Sequence, residues 1–158
     1  MSIIEDALKL LKTRVFIQAA TADKEGRPNC APKLLLKIDG RIIYLIDYSI
    51  GKTFDNLKVN PQVSLSFIDS DSLFGYRLNG TAQIIEEGSI YDGCLKELQE
   101  KEIKLTTERI VKGVREGKKY KDFESEMAER FLVYQVKIED VSEISPRGKI
   151  KREGNSNS

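Results

Sequence analysis

Ile42-Ile43-Tyr44-Leu45-Ile46-Asp47-Tyr48-Ser49-Ile50-Gly51-Lys52-Thr53-Phe54-Asp55-Asn56-Leu57 runs from an apolar segment through a short polar loop into a charged one. Ile42 to Asp47 is rich in β-branched and aromatic residues and predicts a strand. Lys52 to Asn60 predicts a short helix stopped by Pro61, with Phe54, Leu57 and Lys58 about one turn apart. A loop-to-helix junction leaves backbone N–H groups facing outward at the positive end of the helix dipole, here beside an ammonium and a hydroxyl. A phosphate dianion needs those groups. The same residues also suit a Thr53 that caps its own helix and a solvated Lys52, and the spacing does not choose between these readings.

Working outward, the flanking segments read mainly as strands. Ser2-Ile3-Ile4-Glu5 is a capping box, and Ile3, Ile4, Ala7, Leu8 and Leu11 share one helical face, so residues 2–12 predict a helix packed on a sheet. Val15 to Ala22 is a β-type run closed by Asp23-Lys24-Glu25-Gly26-Arg27-Pro28, and a hairpin returns through Asn29 to Lys37. Asp39-Gly40 supplies the next tight turn. Gln62 to Asp69 alternates, with Val63, Leu65 and Phe67 on one side and Ser64 and Ser66 on the other. Leu73 to Glu86 is a longer strand whose Gly75 and Gly80 predict bulges or sharp coiling. Ser89 to Arg130 is Lys- and Glu-rich with apolar residues such as Leu95, Leu98 and Ile103 at helical spacing, which predicts two or three helices with weak points at Gly113 and Gly117. Phe131 to Ile138 is a closing strand that could extend to Ile144.

Together these predict a mainly β (α+β) fold, a six-stranded antiparallel barrel with peripheral helices. Residues 1–144 form one domain, with a helical insertion at about 89–130 and a polar, flexible tail over 145–158.

The bulk numbers exclude several functions. With 26 Lys and Arg against 25 Asp and Glu, the chain lacks the basic excess of a nucleic-acid binder, and Lys149, Lys151 and Arg152 read as a solubilising end. No apolar run is long enough for a membrane span and no signal-like order opens the sequence, which predicts a cytoplasmic protein. Cys30 and Cys94 fit neither a disulfide framework nor a metal-ligand pair. The chain contains no histidine, which removes His-dependent triads, His-ligated zinc and haem with a proximal His. Any redox chemistry then belongs to a cofactor.

Gly51-Lys52-Thr53 followed by Asn56-Leu57 and Asn60-Pro61-Gln62-Val63-Ser64-Leu65 resembles the signature of the pyridoxamine 5'-phosphate oxidase-like FMN-binding split β-barrels. Gly26-Arg27-Pro28-Asn29 with Ala31 to Lys37 resembles that family's flavin-facing hairpin strand. Tyr76-Arg77-Leu78-Asn79-Gly80-Thr81-Ala82 resembles its coiled strand. The resemblance spans roughly residues 10–87. It implies that Gly51, Lys52 and Thr53 hold the FMN phosphate, supported by Asn56, with the backbone at Ile46 and Asp47 beside the ribityl chain or phosphate. It also implies that the stretch Pro32, Lys33, Leu34, Leu35 to Lys37 faces the isoalloxazine, where Lys33 or Lys37 could stabilise an anionic reduced ring. A homodimer with the flavin between subunits follows, with residues near Leu73 to Tyr76 or in the helical insertion reaching across.

The chain departs from the family's namesake enzymes. Pro32 or Lys33 stands where they carry an early arginine, Gly51-Lys52 replaces an Arg-Lys pair, and their C-terminal arginine and histidine motif is absent, which argues against vitamin B6 oxidation. The implied function is an FMN-dependent oxidoreductase acting with a small-molecule electron donor or acceptor. The alternatives are a non-catalytic flavin-binding or redox-sensing module and a deazaflavin-dependent reductase. Tyr76, Tyr134, Lys33 and the cysteines are the protein proton donors left to such a site, which favours electron transfer over proton-coupled chemistry.

Overall fold

Apolar residues alternating with polar ones bury one face of several strands, and a computed structural model, describing residues 2–48, 50–116 and 131–154, shows how those faces close on one another. Helix α1 (Ile3–Leu11) opens the chain. Strands β1 (Phe16–Ala22), β2 (Pro28–Asp39) and β3 (Ile42–Asp47) form a meander, and α2 (Lys52–Val59) leads into β4 (Gln62–Ile68) and β5 (Gly75–Ile85). The long α3 (Ser89–Glu116) precedes β6 (Leu132–Ile144) and β7 (Ile150–Gly154). All neighbours are antiparallel in the order β3-β2-β1-β4-β5-β6-β7, and a further β3–β6 pairing closes six strands into a barrel.

Ile17, Leu35, Leu45, Leu65, Leu78 and Tyr134 fill the barrel. The predicted capping box of α1 is present: the Glu5 N–H donates to Ser2 Oγ at 3.2 Å and the Ser2 N–H to Glu5 Oε2 at 3.3 Å. Its buried face of Ile4, Ala7 and Leu11 packs on β6 and β7. Gly80 marks a true bulge. The β5–β6 register slips between Asn79 and Gly80, and a Cβ at Gly80 would stand 2.1 Å from the Lys137 carbonyl oxygen. Gly75, expected to bulge as well, instead pairs in register with Ile68 and Ile144 and has room for a Cβ.

Two expectations about the second half change and a third is met. Among the described residues the insertion holds one helix of 28 residues that runs unbroken through Gly113, where a weak point was expected; Gly117 to Arg130 lie outside the described residues. β6 runs the full length to Ile144, its first half pairing β3 and its second half β7. The tail expected to be flexible from residue 145 carries β7, which covers the edge of β6 beyond the reach of β3. Glu153 of β7 accepts a hydrogen bond from the Ile4 N–H at 3.0 Å, capping one of α1's free donors. Residues 155–158 lie outside the described residues.

Candidate functional site

Helix α2 starts at the junction singled out in the sequence. Its N-cap is Gly51, which has no side chain to offer, and the helix ladder begins only with the Asp55 N–H bonded to the Gly51 carbonyl at 3.0 Å. The N–H groups of Lys52, Thr53 and Phe54 therefore precede the ladder without a side-chain cap. Lys52 is exposed, whereas Thr53 and Asn56 are buried. Thr53 does not cap its own helix: Asn29 Nδ2 of β2 donates to its Oγ1 at 3.4 Å, which leaves the Thr53 hydroxyl hydrogen unassigned. Asn56 Nδ2 donates to Thr21 Oγ1 of β1 at 3.1 Å, so this residue ties α2 to the barrel and is no ordinary surface residue.

The β1–β2 turn stands beside this helix start. Asp23 Oδ1 accepts the N–H groups of Arg27 at 2.8 Å and Glu25 at 2.9 Å. The Arg27 N–H first, then the Glu25 N–H and the charges of Arg27 and Lys52, hold its carboxyl below the usual carboxylate range. The arrangement thus offers an open ammonium, first-turn N–H donors and a second cation on the neighbouring hairpin. That donor set fits a phosphate monoester.

The flavin-facing stretch divides between two faces. Lys33 continues the inward face of Leu35, and Asp47 continues that of Leu45. Lys33 Nζ donates to Asp47 Oδ1 at 2.9 Å, and the Tyr134 hydroxyl donates to Asp47 Oδ2 at 2.6 Å. All three are 5% exposed or less. Burial, then the bond to Asp47, pushes the Tyr134 phenol well above its ordinary value. Lys33 is therefore neither a solvated strand lysine nor a side chain free to meet a ring.

Two more steps along, Lys37 would also point inward, but a bulge between Leu35 and Lys37 re-aims it. Lys37 pairs in register with Tyr44, lies 4.8 Å from that ring's centroid, and forms an ion pair with Glu97 of α3 at 2.9 Å. Helix α3 covers this outer face. Leu34, Leu36, Tyr44 and Ile46 pack with Cys94 and Leu98, Tyr48 donates to Glu102, and Lys101 donates to the Leu35 carbonyl. Pro32 stays exposed. Of these α3 residues, Leu98 was named in the sequence for its helical spacing and Cys94 only as a thiol, while Glu97, Lys101 and Glu102 were not singled out. The Lys33–Asp47 pair had a signal there, since period-two counting puts both on the face of Leu35 and Leu45.

Among the described residues, no cluster of three or more His, Cys, Asp or Glu could hold a metal ion, and no helix is long and apolar enough to cross a membrane.

The family model for pyridoxamine 5'-phosphate oxidase matches residues 3–145. The chain belongs to the pyridoxamine 5'-phosphate oxidase family. Solved structures agree on this family's fold. HupZ of Group A Streptococcus superposes with a TM-score of 0.67 at 22% identity, covering 95% of this chain and 99% of its own. A pyridoxamine 5'-phosphate oxidase-related, FMN-binding protein from Nostoc punctiforme gives 0.58 at 18%, covering 94% and 85%. HutZ, the heme storage protein of Vibrio cholerae, gives 0.59 at 20%, covering 88% and 92%. No curated protein matches the chain. The same barrel thus occurs in an FMN-binding protein and in a heme storage protein.

Proposed function

We propose that the chain binds FMN and works as a flavin-dependent oxidoreductase whose substrate is a small-molecule electron donor or acceptor. The observation that carries this reading is the start of α2, where uncapped N–H groups and the exposed Lys52 sit at the position matching the family's phosphate signature. Lys52 and the first-turn amides hold the phosphate, with Thr53 and Asn56 fixing the helix against β1 and β2. The backbone at Ile46 and Asp47 borders the chain leading to the ring, and Pro32, the exposed residue of the β2 stretch, meets the ring, since Lys33 to Leu36 are buried by the barrel core and α3. When bound, FMN supplies hydride or electron transfer, and the protein positions it and tunes its potential.

Two observations favour simple electron transfer. The Tyr134 hydroxyl is given to Asp47, and that of Tyr76 to Glu143 at 3.2 Å. Burial first, then the Glu143 contact, pushes the Tyr76 phenol up to about 12. Both point into the barrel and are poor acids near neutrality. Heme storage, as in the Vibrio relative, is disfavoured because this chain has no imidazole to act as an axial ligand.

The reading includes a homodimer in the cytoplasm. Ile68, Gly75, Ile144 and Ile150 are cross-strand neighbours on the outer face, and extending the β1–β4 register sets Phe16 beside Ile68. Phe16, Ile68 and Ile150 are each more than half exposed, an apolar stripe suited to a second copy.

The test is the visible absorbance of purified protein before and after adding FMN, FAD or a deazaflavin. A bound yellow chromophore with FMN is expected; no flavin spectrum with any of the three contradicts the reading. Anaerobic reduction by NADH or NADPH, followed by acceptor screening, then separates an enzyme from a binding module.

A further inference from the structure

Gly75 sits in register in β5 with nothing in the chain closing on it; the nearest atoms a Cβ would meet are 3.9 Å away. A glycine inside a strand gives up side-chain packing and conformational entropy, and one that no neighbour requires marks a place where a ligand or another backbone comes close. Its cross-strand neighbours on the outer face are Ile68 and Ile144, and Leu73 stands two residues before it. Leu73 is exposed and held at φ 62 by the Asp69 turn, whose carbonyl accepts its N–H at 2.8 Å. A leucine in that region is strained, and such residues cluster at ligand sites. Gly75, Ile68, Ile144 and Leu73, with Gln18 and Ser66, line a cavity of about 400 Å³. Gly75 is its floor, the two isoleucines its sides and Leu73 one end.

The other end is cationic. Arg77 lies two residues beyond Gly75 on the same face, between Ser66 and Ser142. It donates to Ser142 Oγ at 3.2 Å, its Nε is buried without a hydrogen-bond partner, and among the described residues no carboxylate pairs with it. A half-buried guanidinium in that state lacks both a counter-charge and an acceptor. We propose that this slot binds a flat aromatic carboxylate, its ring laid over Gly75 between Ile68 and Ile144 and its carboxylate on Arg77. The ring needs apolar sides and a floor without a side chain, and the carboxylate needs a planar fork of N–H donors. Pro32, Gln18, Ser66 and Arg77 form one cross-strand row, so the ligand shares a face with the residue left to meet the flavin. Its role as the electron donor or acceptor of that reaction rests on the FMN reading above; its binding does not. The second copy placed on this apolar stripe would roof the slot.

The probe is 2-naphthoate, with the uncharged 2-naphthamide as its isostere, titrated by calorimetry into the purified chain without flavin. Saturable binding of the acid tighter than about 1 mM is expected, at least about tenfold stronger than binding of the amide. Arg77→Met should weaken the acid by about tenfold or more, to the level of the amide. Gly75→Ala has room for its Cβ, so it should keep or raise the unfolding midpoint while weakening the acid by about tenfold or more. Lys112→Met, a change at an exposed cation on α3, should leave both affinities at wild-type values.

No saturable binding by the wild type, equal affinity for acid and amide, or an affinity unmoved in Arg77→Met overturns the proposal. Sedimentation velocity on the same samples tests the other occupant. If the wild type ignores 2-naphthoate and Gly75→Ala weakens a dimer, the glycine floor serves another copy's backbone and the proposal falls. If Arg77→Met does not fold, Arg77→Gln keeps N–H donors without the charge and is read the same way. Acid binding by a chain that takes up no flavin removes the FMN reading and leaves this site, whereas a flavin spectrum without acid binding removes this site alone.

Discussion

Lys33, paired with Asp47 at the end of β3, and Lys52, at the start of α2, flank the same strand-to-helix junction and have opposite environments. Lys33 is locked inside the barrel by Asp47, whose other carboxylate oxygen accepts the Tyr134 hydroxyl. Lys52 stands in water at the start of α2, beside amides that no side chain caps. The first region consumes its polar groups to close the barrel end, and the second leaves them open. A charge that is fully paired stabilises a fold but cannot recognise a ligand. This difference separates structural from binding residues more sharply than residue type does.

The largest expected effect breaks the closed region. Asp47→Ala leaves the Lys33 ammonium buried without its partner, and unfolding in denaturant should show a loss of about 3 to 5 kcal/mol. A wild-type midpoint would contradict the view that this pair closes the barrel.

The next prediction inverts the comparison. Lys52→Ala should leave stability within about 0.5 kcal/mol of wild type, as for other exposed changes. It should weaken FMN binding by about 1.5 to 3 kcal/mol, the range for a charged hydrogen bond. Unchanged affinity would put the phosphate elsewhere.

Asn56→Ala probes the seam between the two regions. It removes the donor to the Thr21 hydroxyl, itself 5% exposed, and should cost about 1 to 3 kcal/mol in denaturant unfolding.

Tyr76→Phe should cost least, about 0.5 to 1.5 kcal/mol, for one lost hydrogen bond. It also has a pH signature. The phenol's pKa rises from 10.0 in the free side chain to about 12 in the fold, so the fold favours the protonated form. That stabilisation is complete below pH 10 and is lost as pH climbs from about 10 to about 12. Tyr134 shifts the same way. Thermal melts across this range should fall steeply for wild type and less steeply for Tyr76→Phe.

The sequence carried the barrel well because its signals were local: alternation in β4, the capping box of α1, the Asp39-Gly40 turn and the helix stop at Pro61. The Gly80 bulge was legible, since only a residue without Cβ fits against the Lys137 carbonyl. Gly75 misled because a glycine in a strand signals close approach only when a neighbour closes in, and none does there. β7 was hidden because Ile150 is its one apolar residue and no alternation marks it, and it forms through pairing with β6 and the Glu153 contact to α1. At the site, Lys52 was visible as part of a junction. The separation of Lys33 from Lys37 was not, because it depends on a one-residue bulge at Leu36 that flips everything after it. Lys101 comes from 66 positions farther along the chain than its Leu35 partner, a contact that no spacing rule reaches.

The central claim concerns a phosphate at Gly51-Lys52-Thr53, and comparing FMN with riboflavin, which lacks that phosphate, tests it most directly. Fluorescence titrations of wild type and Lys52→Ala with both flavins separate recognition of the ring from recognition of the phosphate. Wild type should bind FMN at least about tenfold more tightly than riboflavin, and most of that gap should close in Lys52→Ala. Equal affinity of the wild type for the two flavins, or a gap that survives the substitution, would contradict the account.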